Sequence, residues 1–111
     1  MEVGVDLVEI ARVKSLARRN PKFLARIFSA SEIAYCKAKK NPWPHFAERF
    51  AAREAVYKAL GKAEVPLTAI SVVSDRHGRP SVTIGGKPVR GLKISLSHGR
   101  DHAVAFAVLA R

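Results

Sequence analysis

Acidic residues are scarce in this chain: nine Asp and Glu stand against twenty Lys and Arg, a formal charge of +11. A protein so short of carboxylates attracts polyanions, whether nucleic acid, acidic lipid, an acidic protein or a phosphate-rich small molecule. Cysteine is nearly absent. With Cys36 alone, no disulfide framework can form within the chain, which fits a reducing compartment such as the cytoplasm. Long apolar runs are missing too. No stretch approaches the roughly 20 apolar residues of a membrane span. The N-terminus carries no basic leader followed by an apolar core, so no signal peptide is expected. There is no glycine-rich phosphate loop of the P-loop or dinucleotide type. The one cysteine and four histidines lack the spacing of a zinc site. Ser97, His98 and Asp101 lie close together, but no nucleophile elbow surrounds them, which argues against a hydrolase triad.

What is present is a folded domain. A hydrophobic content of 48% in 111 residues supports one globular unit, residues 1–111, with a real core. Residues 2–10 read as a strand of β-branched and aliphatic side chains, with Gly4 suited to close backbone approach. Asp6 interrupts it. Either it points outward by alternation with Val5 and Leu7, or it faces inward and needs a partner. Residues 11–19 are helical, and Asn20-Pro21 ends that helix. Residues 22–27 give a short helical turn. Ser29 and Glu32 form a capping-box pattern opening a helix over 30–39. From Arg12 to Arg26 there is no acidic residue, only Arg12, Lys14, Arg18, Arg19, Lys22 and Arg26.

Residues 46–61 form the clearest helix. Its alanines favour helix, no Pro or Gly interrupts it, and Gly61 suits its end. Phe46, Phe50 and Tyr57 recur at helical spacing and mark one side. Glu54 and Lys58 are neighbours four apart beside that stripe. Taken alone they read as an exposed ion pair worth about 0.2–0.5 kcal/mol. Strands follow at 69–74, 80–84, 92–98 and 102–109, joined by turns at Asp75–Gly78, Gly85-Gly86 and Gly99–Asp101. The last is almost wholly apolar, as a central strand covered on both faces would be. The predicted fold is α+β: an antiparallel sheet packed against one long helix, with shorter N-terminal helices.

Three groups of side chains carry possible chemistry. Asp6 and Glu54 could supply two carboxylates to a hard cation such as Mg²⁺. Lys58 and Lys62 could meet phosphate oxygens. Ser95, Ser97 and His98, at a strand end, could donate to anions. These residues fit a basic phosphoryl-handling enzyme. They also leave open a non-catalytic, basic nucleic-acid-binding domain, although no aromatic recognition pattern accompanies the charge.

Three blocks of sequence together resemble the holo-acyl-carrier-protein synthases, the short bacterial 4′-phosphopantetheinyl transferases. They are Val3-Gly-Val-Asp-Leu-Val-Glu-Ile10, Arg49-Phe-Ala-Ala-Arg-Glu-Ala-Val-Tyr-Lys-Ala-Leu-Gly61, and Ile94-Ser-Leu-Ser-His98 with Ala103-Val-Ala105. The resemblance runs from end to end of the chain. It implies the 4′-phosphopantetheinyl transferase fold. It also implies transfer of 4′-phosphopantetheine from coenzyme A to a serine of apo-acyl carrier protein in fatty-acid biosynthesis, with release of 3′,5′-ADP. By the same resemblance, Asp6 and Glu54 match Mg²⁺ ligands, and Glu54, directly or through a metal-bound water, would take the serine proton. Lys58 and Lys62 would meet the phosphates, and Ser97 and His98 fall in a coenzyme-contacting motif. Arg12, with Arg18, Arg19 and Arg26 extending it, would dock the acidic carrier. The family also implies a homotrimer with active sites between subunits, and neither nucleic acid nor membrane as partner. Four features depart from the pattern: Glu2 where a glycine is frequent, Arg53 where lysine is usual, His102 in place of a frequent tyrosine, and a short segment between Gly61 and Ala69.

Overall fold

A computed structural model describes residues 1–61 and 65–110. The chain begins with β1 (Glu2–Glu9), which runs directly into α1 (Ile10–Arg19). Two short helices follow, α2 (Phe23–Ile27) and α3 (Ala30–Lys37), then the long α4 (Trp43–Ala59). A single 3₁₀ turn, Leu67–Ala69, leads into β2 (Ile70–Ser74), β3 (Pro80–Ile84), β4 (Lys87–Pro88), β5 (Leu92–His98) and β6 (His102–Leu109). No helix among the described residues is long and apolar enough to cross a membrane.

The predicted elements are present, with three differences. Helix α4 starts three residues before Phe46, because Pro44 lies in its first turn, where a missing N–H costs nothing. The antiparallel strands form two sheets, ordered β1-β6-β5 and β2-β3-β4, with the short β4 unforeseen. Strand β6 is central, as its composition predicts, but only one of its faces is covered. Ala103, Ala105 and Ala107 are buried beneath α4, while Phe106 on the other face is 43% exposed.

Small residues on both sides set how closely α4 lies on the sheet. The helix presents Ala47, Ala51, Ala55 and Ala59, all buried, and β6 presents its own alanines. At Gly4 the contact is backbone to backbone. A Cβ there would stand 1.9 Å from the Ala55 carbonyl oxygen, so only glycine fits. The aromatic stripe fills the other side of the helix. Phe46 packs on Phe28 with ring centroids 5.2 Å apart, and Phe50 stacks on Phe23 at 6.4 Å.

Ser29 and Glu32 make the predicted capping box. Glu32 does more than cap. It is 1% exposed, accepts from the Val72 N–H at 2.9 Å and pairs with Arg53, itself 3% exposed. Arg53 Nη1 donates to Glu32 Oε2 at 3.0 Å, and Nη2 donates to Oε1. One carboxylate thus joins α3, α4 and β2.

Candidate active site

The first site element is set by the alternation of β1. Gly4 and Val8 are buried and Asp6 is partly buried, while Val3, Val5 and Leu7 are exposed. Asp6 therefore points inward, against the reading in which Val5 and Leu7 turn it to solvent. The inversion follows from what covers the strand. Helix α4 can come close only over Gly4, so the Gly4–Asp6–Val8 face is the one it covers.

That close approach brings Lys58 to the strand. Its Nζ donates to the Val5 carbonyl at 2.9 Å and lies 3.5 Å from Asp6 Oδ1. Among the described residues, Lys58 pairs with Asp6 and not with Glu54, so the i,i+4 pair expected from spacing does not form. Glu54, one turn earlier on α4, is partly buried and makes no ion pair among the described residues. No group of three or more His, Cys, Asp or Glu among the described residues could hold a metal. Asp6 and Glu54 supply oxygen donors of the kind Mg²⁺ prefers. A two-carboxylate set suits that ion, because it keeps several waters and takes substrate phosphates as its other ligands. Lys62 lies outside the described residues.

Ser97 and His98 occupy the other edge of the same sheet, since β6 separates β5 from β1. They point to opposite faces, as successive strand residues must. Ser97 is exposed opposite Val104. His98 turns toward the start of α4, where its Nδ1 lies 2.9 Å from Glu48 Oε2. Glu48 and Lys58 are ten residues apart on that helix, about 15 Å of rise. Within one chain, then, the Asp6–Lys58 end and the His98 end are separate.

Around Glu48 lies a network that the sequence reading does not contain. His45 Nδ1 is 3.7 Å from Glu48 Oε1, and Arg49 Nη1 is 3.9 Å from the same oxygen. Arg49 is buried, donates to Ser74 Oγ at 2.9 Å and lies over the Tyr35 ring at 4.2 Å. Its Nε has no hydrogen-bond partner among the described residues. Burial lowers the His45 pKa below its usual value, against the pull of Glu48. Burial also pushes the Tyr35 hydroxyl up, but Ser74, Arg49 and Lys39 outweigh it and bring it below the phenolic range. Tyr35, His45, Glu48 and Arg49 line a cleft of about 240 Å³ against β5. The His45–Glu48 spacing of three became a helical pair only because α4 starts at Trp43, before the residue 46 read from the sequence. Their meeting with His98 was not visible in the sequence.

Arg12, Arg18, Arg19 and Arg26 are all exposed, on α1 and α2, and none makes an ion pair with a described residue. Lys14, between them, lines two grooves. One, of about 290 Å³, runs along α1 with Arg18 and Arg19. The other, of about 450 Å³, lies between the start of α1, Trp43 and the β5–β6 turn. That turn is tied to α1 by a 2.9 Å hydrogen bond from the Ile10 N–H to the Asp101 carbonyl.

Known proteins are similar to this chain in sequence and in overall fold. The family described as the 4′-phosphopantetheinyl transferase superfamily matches residues 2–107. The holo-[acyl-carrier-protein] synthase of Clostridium acetobutylicum is 42% identical, the match covering 96% of this chain and 94% of that protein. The protein of the same name from Thermodesulfovibrio yellowstonii is also 42% identical, with 96% of each chain covered. Among solved structures, the holo-[acyl-carrier-protein] synthase of Helicobacter pylori in complex with coenzyme A superposes with a TM-score of 0.83 at 31% identity. That superposition covers 97% of this chain and 99% of the other.

Proposed function

The chain belongs to the 4′-phosphopantetheinyl transferase superfamily, and to its holo-[acyl-carrier-protein] synthases, and from that premise we propose how its residues carry out the transfer. The enzyme moves 4′-phosphopantetheine from coenzyme A to a serine of apo-acyl carrier protein, in fatty-acid biosynthesis. The serine oxygen forms a bond to the phosphorus bearing the pantetheine arm, the pyrophosphate bond breaks, and 3′,5′-ADP leaves.

The Lys58–Asp6 junction supports this reading most directly. The ammonium is anchored on the Val5 carbonyl at 2.9 Å and lies 3.5 Å from Asp6 Oδ1, yet the side chain is 53% exposed, so its third N–H is free to meet a phosphate oxygen. Such a fixed cation is worth most where negative charge grows during phosphoryl transfer. Asp6 and Glu54 would hold Mg²⁺, which when bound offsets charge on the pyrophosphate. Glu54 has no competing cation among the described residues, and it accepts the serine proton directly or through a water. Ser97 and His98 contact the coenzyme, with Lys62 extending the phosphate site. Arg12, Arg18, Arg19 and Arg26 receive the acidic carrier on the exposed face of α1 and α2.

The enzyme works as a homotrimer in the cytoplasm. The apolar outer face of the first sheet supports self-association: Val3 is 59% exposed, Val5 55%, Leu7 65% and Phe106 43%, with Phe106 opposite Val5. Burying such a patch is favourable. Association there would let the His98 end of one subunit complete the Asp6–Lys58 end of a neighbour. Incubation with coenzyme A, Mg²⁺ and an apo carrier protein, followed by intact-protein mass, tests the reaction. The expected result is a carrier heavier by one phosphopantetheine; an unchanged carrier mass refutes it.

A further inference from the structure

We infer that Glu48 is a positioning residue for His98, holding the imidazole by Nδ1 so that Nε2 is the nitrogen presented to a phosphate of the coenzyme. The inference rests on the coenzyme-binding reading of His98 given above.

The Glu48 side chain is 11% exposed, and a carboxylate so enclosed must be paired. Three groups surround it, at unequal distances. His98 Nδ1 is at hydrogen-bond length, 2.9 Å from Oε2. His45 Nδ1 and Arg49 Nη1 stand off at 3.7 and 3.9 Å from Oε1. Arg49 commits its other terminal nitrogen to Ser74 at 2.9 Å. His45 is buried enough that its charged form is disfavoured, so it does not compete as a cation. Its ring instead packs edge-on against His98, with centroids 5.6 Å apart, and limits the swing of that ring.

A carboxylate on one imidazole nitrogen keeps a proton there and sets the chemistry of the other. With Nδ1–H donating to Glu48, Nε2 makes no hydrogen bond to a described residue. When the ring carries both protons, Nε2–H donates to a phosphate oxygen, and the enclosed carboxylate offsets the ring's charge. Glu48 touches no reacting atom in this scheme. It acts through His98.

Two-bond ¹⁵N–¹H correlation spectra of the wild-type protein, at alkaline pH where the ring is neutral, should show His98 protonated on Nδ1. Glu48→Met, of similar size and with no acceptor, should move the proton to Nε2, and Glu48→Gln should retain Nδ1–H through its amide oxygen. By calorimetry, Glu48→Met should weaken coenzyme A binding about tenfold, the value of a charge-assisted hydrogen bond, with kcat at saturating coenzyme within about twofold of wild type. The same substitution should have no further effect in a His98→Ala background. A wild-type His98 protonated on Nε2 overturns the inference without any variant, as does an equal loss of affinity in the His98→Ala background. If wild-type protein fails to bind coenzyme A, the functional reading falls, while the tautomer spectra still decide the role of Glu48.

Discussion

Gly4 and Ala55 touch through their backbones: a Cβ on Gly4 would lie 1.9 Å from the Ala55 carbonyl oxygen and 2.9 Å from the Ala59 nitrogen. This contact fixes the height of α4 over β1. It thereby decides that Asp6, two residues along the same face, meets Lys58. Gly4→Ala should force the helix off the strand, with a cost of about 3 kcal/mol from overpacking. The expected outcome is a lower midpoint in urea unfolding together with a loss of transfer. An unchanged midpoint would mean that the helix does not rest on Gly4.

Asp6→Ala and Glu54→Ala should abolish transfer while leaving the fold intact. The Asp6–Lys58 pair is half exposed on the lysine side, and such pairs contribute at most about 1 kcal/mol. Lys58→Ala should lower kcat about 100-fold, the scale for loss of one fixed charge-stabilising donor. Thermal midpoints and transfer rates measured on the same preparations check all three. Normal rates in both carboxylate variants would remove these residues from the site.

Arg12 lies exposed on α1 with no ion pair to a described residue. Arg12→Glu should raise the KM for the acidic carrier about tenfold and leave the KM for coenzyme A unchanged, because charges at the edge of an interface act mainly on encounter. The wild-type carrier KM should also rise with ionic strength. A carrier KM equal in wild type and variant would place docking elsewhere.

Phe106 and Val5 face each other on the uncovered side of the first sheet. If this face carries the proposed self-association, Phe106→Glu should give monomers in sedimentation experiments, since an unpaired charge buried in an apolar interface is strongly unfavourable. Transfer should fall with it if the active site is shared. A wild-type protein that sediments as a monomer would contradict the trimer.

Cys36 is fully buried, and burial, ahead of the charges around it, pushes its thiol up to about 12. The native thiol should therefore resist alkylating reagents that require a thiolate and react once the chain unfolds. The same shift makes stability depend on pH. The folded pKa is raised, so its contribution is complete below the unfolded value of about 8.5 and is lost progressively as pH rises from there toward the folded value. Denaturant midpoints measured from pH 8 to 10 should decline more steeply for wild type than for Cys36→Ala.

Local chemistry was legible from residue order alone. The capping box at Ser29 and Glu32, the stop at Asn20-Pro21 and the alternation of β5 depend on neighbours within a few residues, so propensity and period suffice. The motif residues Asp6, Glu54, Lys58 and His98 were likewise readable as types at positions. Which of them meet was not. Spacing pairs Glu54 with Lys58, but Lys58 bonds across 53 residues to Val5 because Gly4 lets the strand pass under the helix. Capping chemistry explains Glu32, but its burial against Arg53 needs α3 and α4 to pack first. Nothing near His98 in the chain points to Glu48, fifty residues away. Sequence by itself determined the helices and the longer strands, and the excess of positive charge. Tertiary structure alone decided which face of β1 is covered, and with it the direction of Asp6, the two-sheet division and the exposed apolar face. Those outcomes depend on contacts between distant segments, where close packing admits only one arrangement.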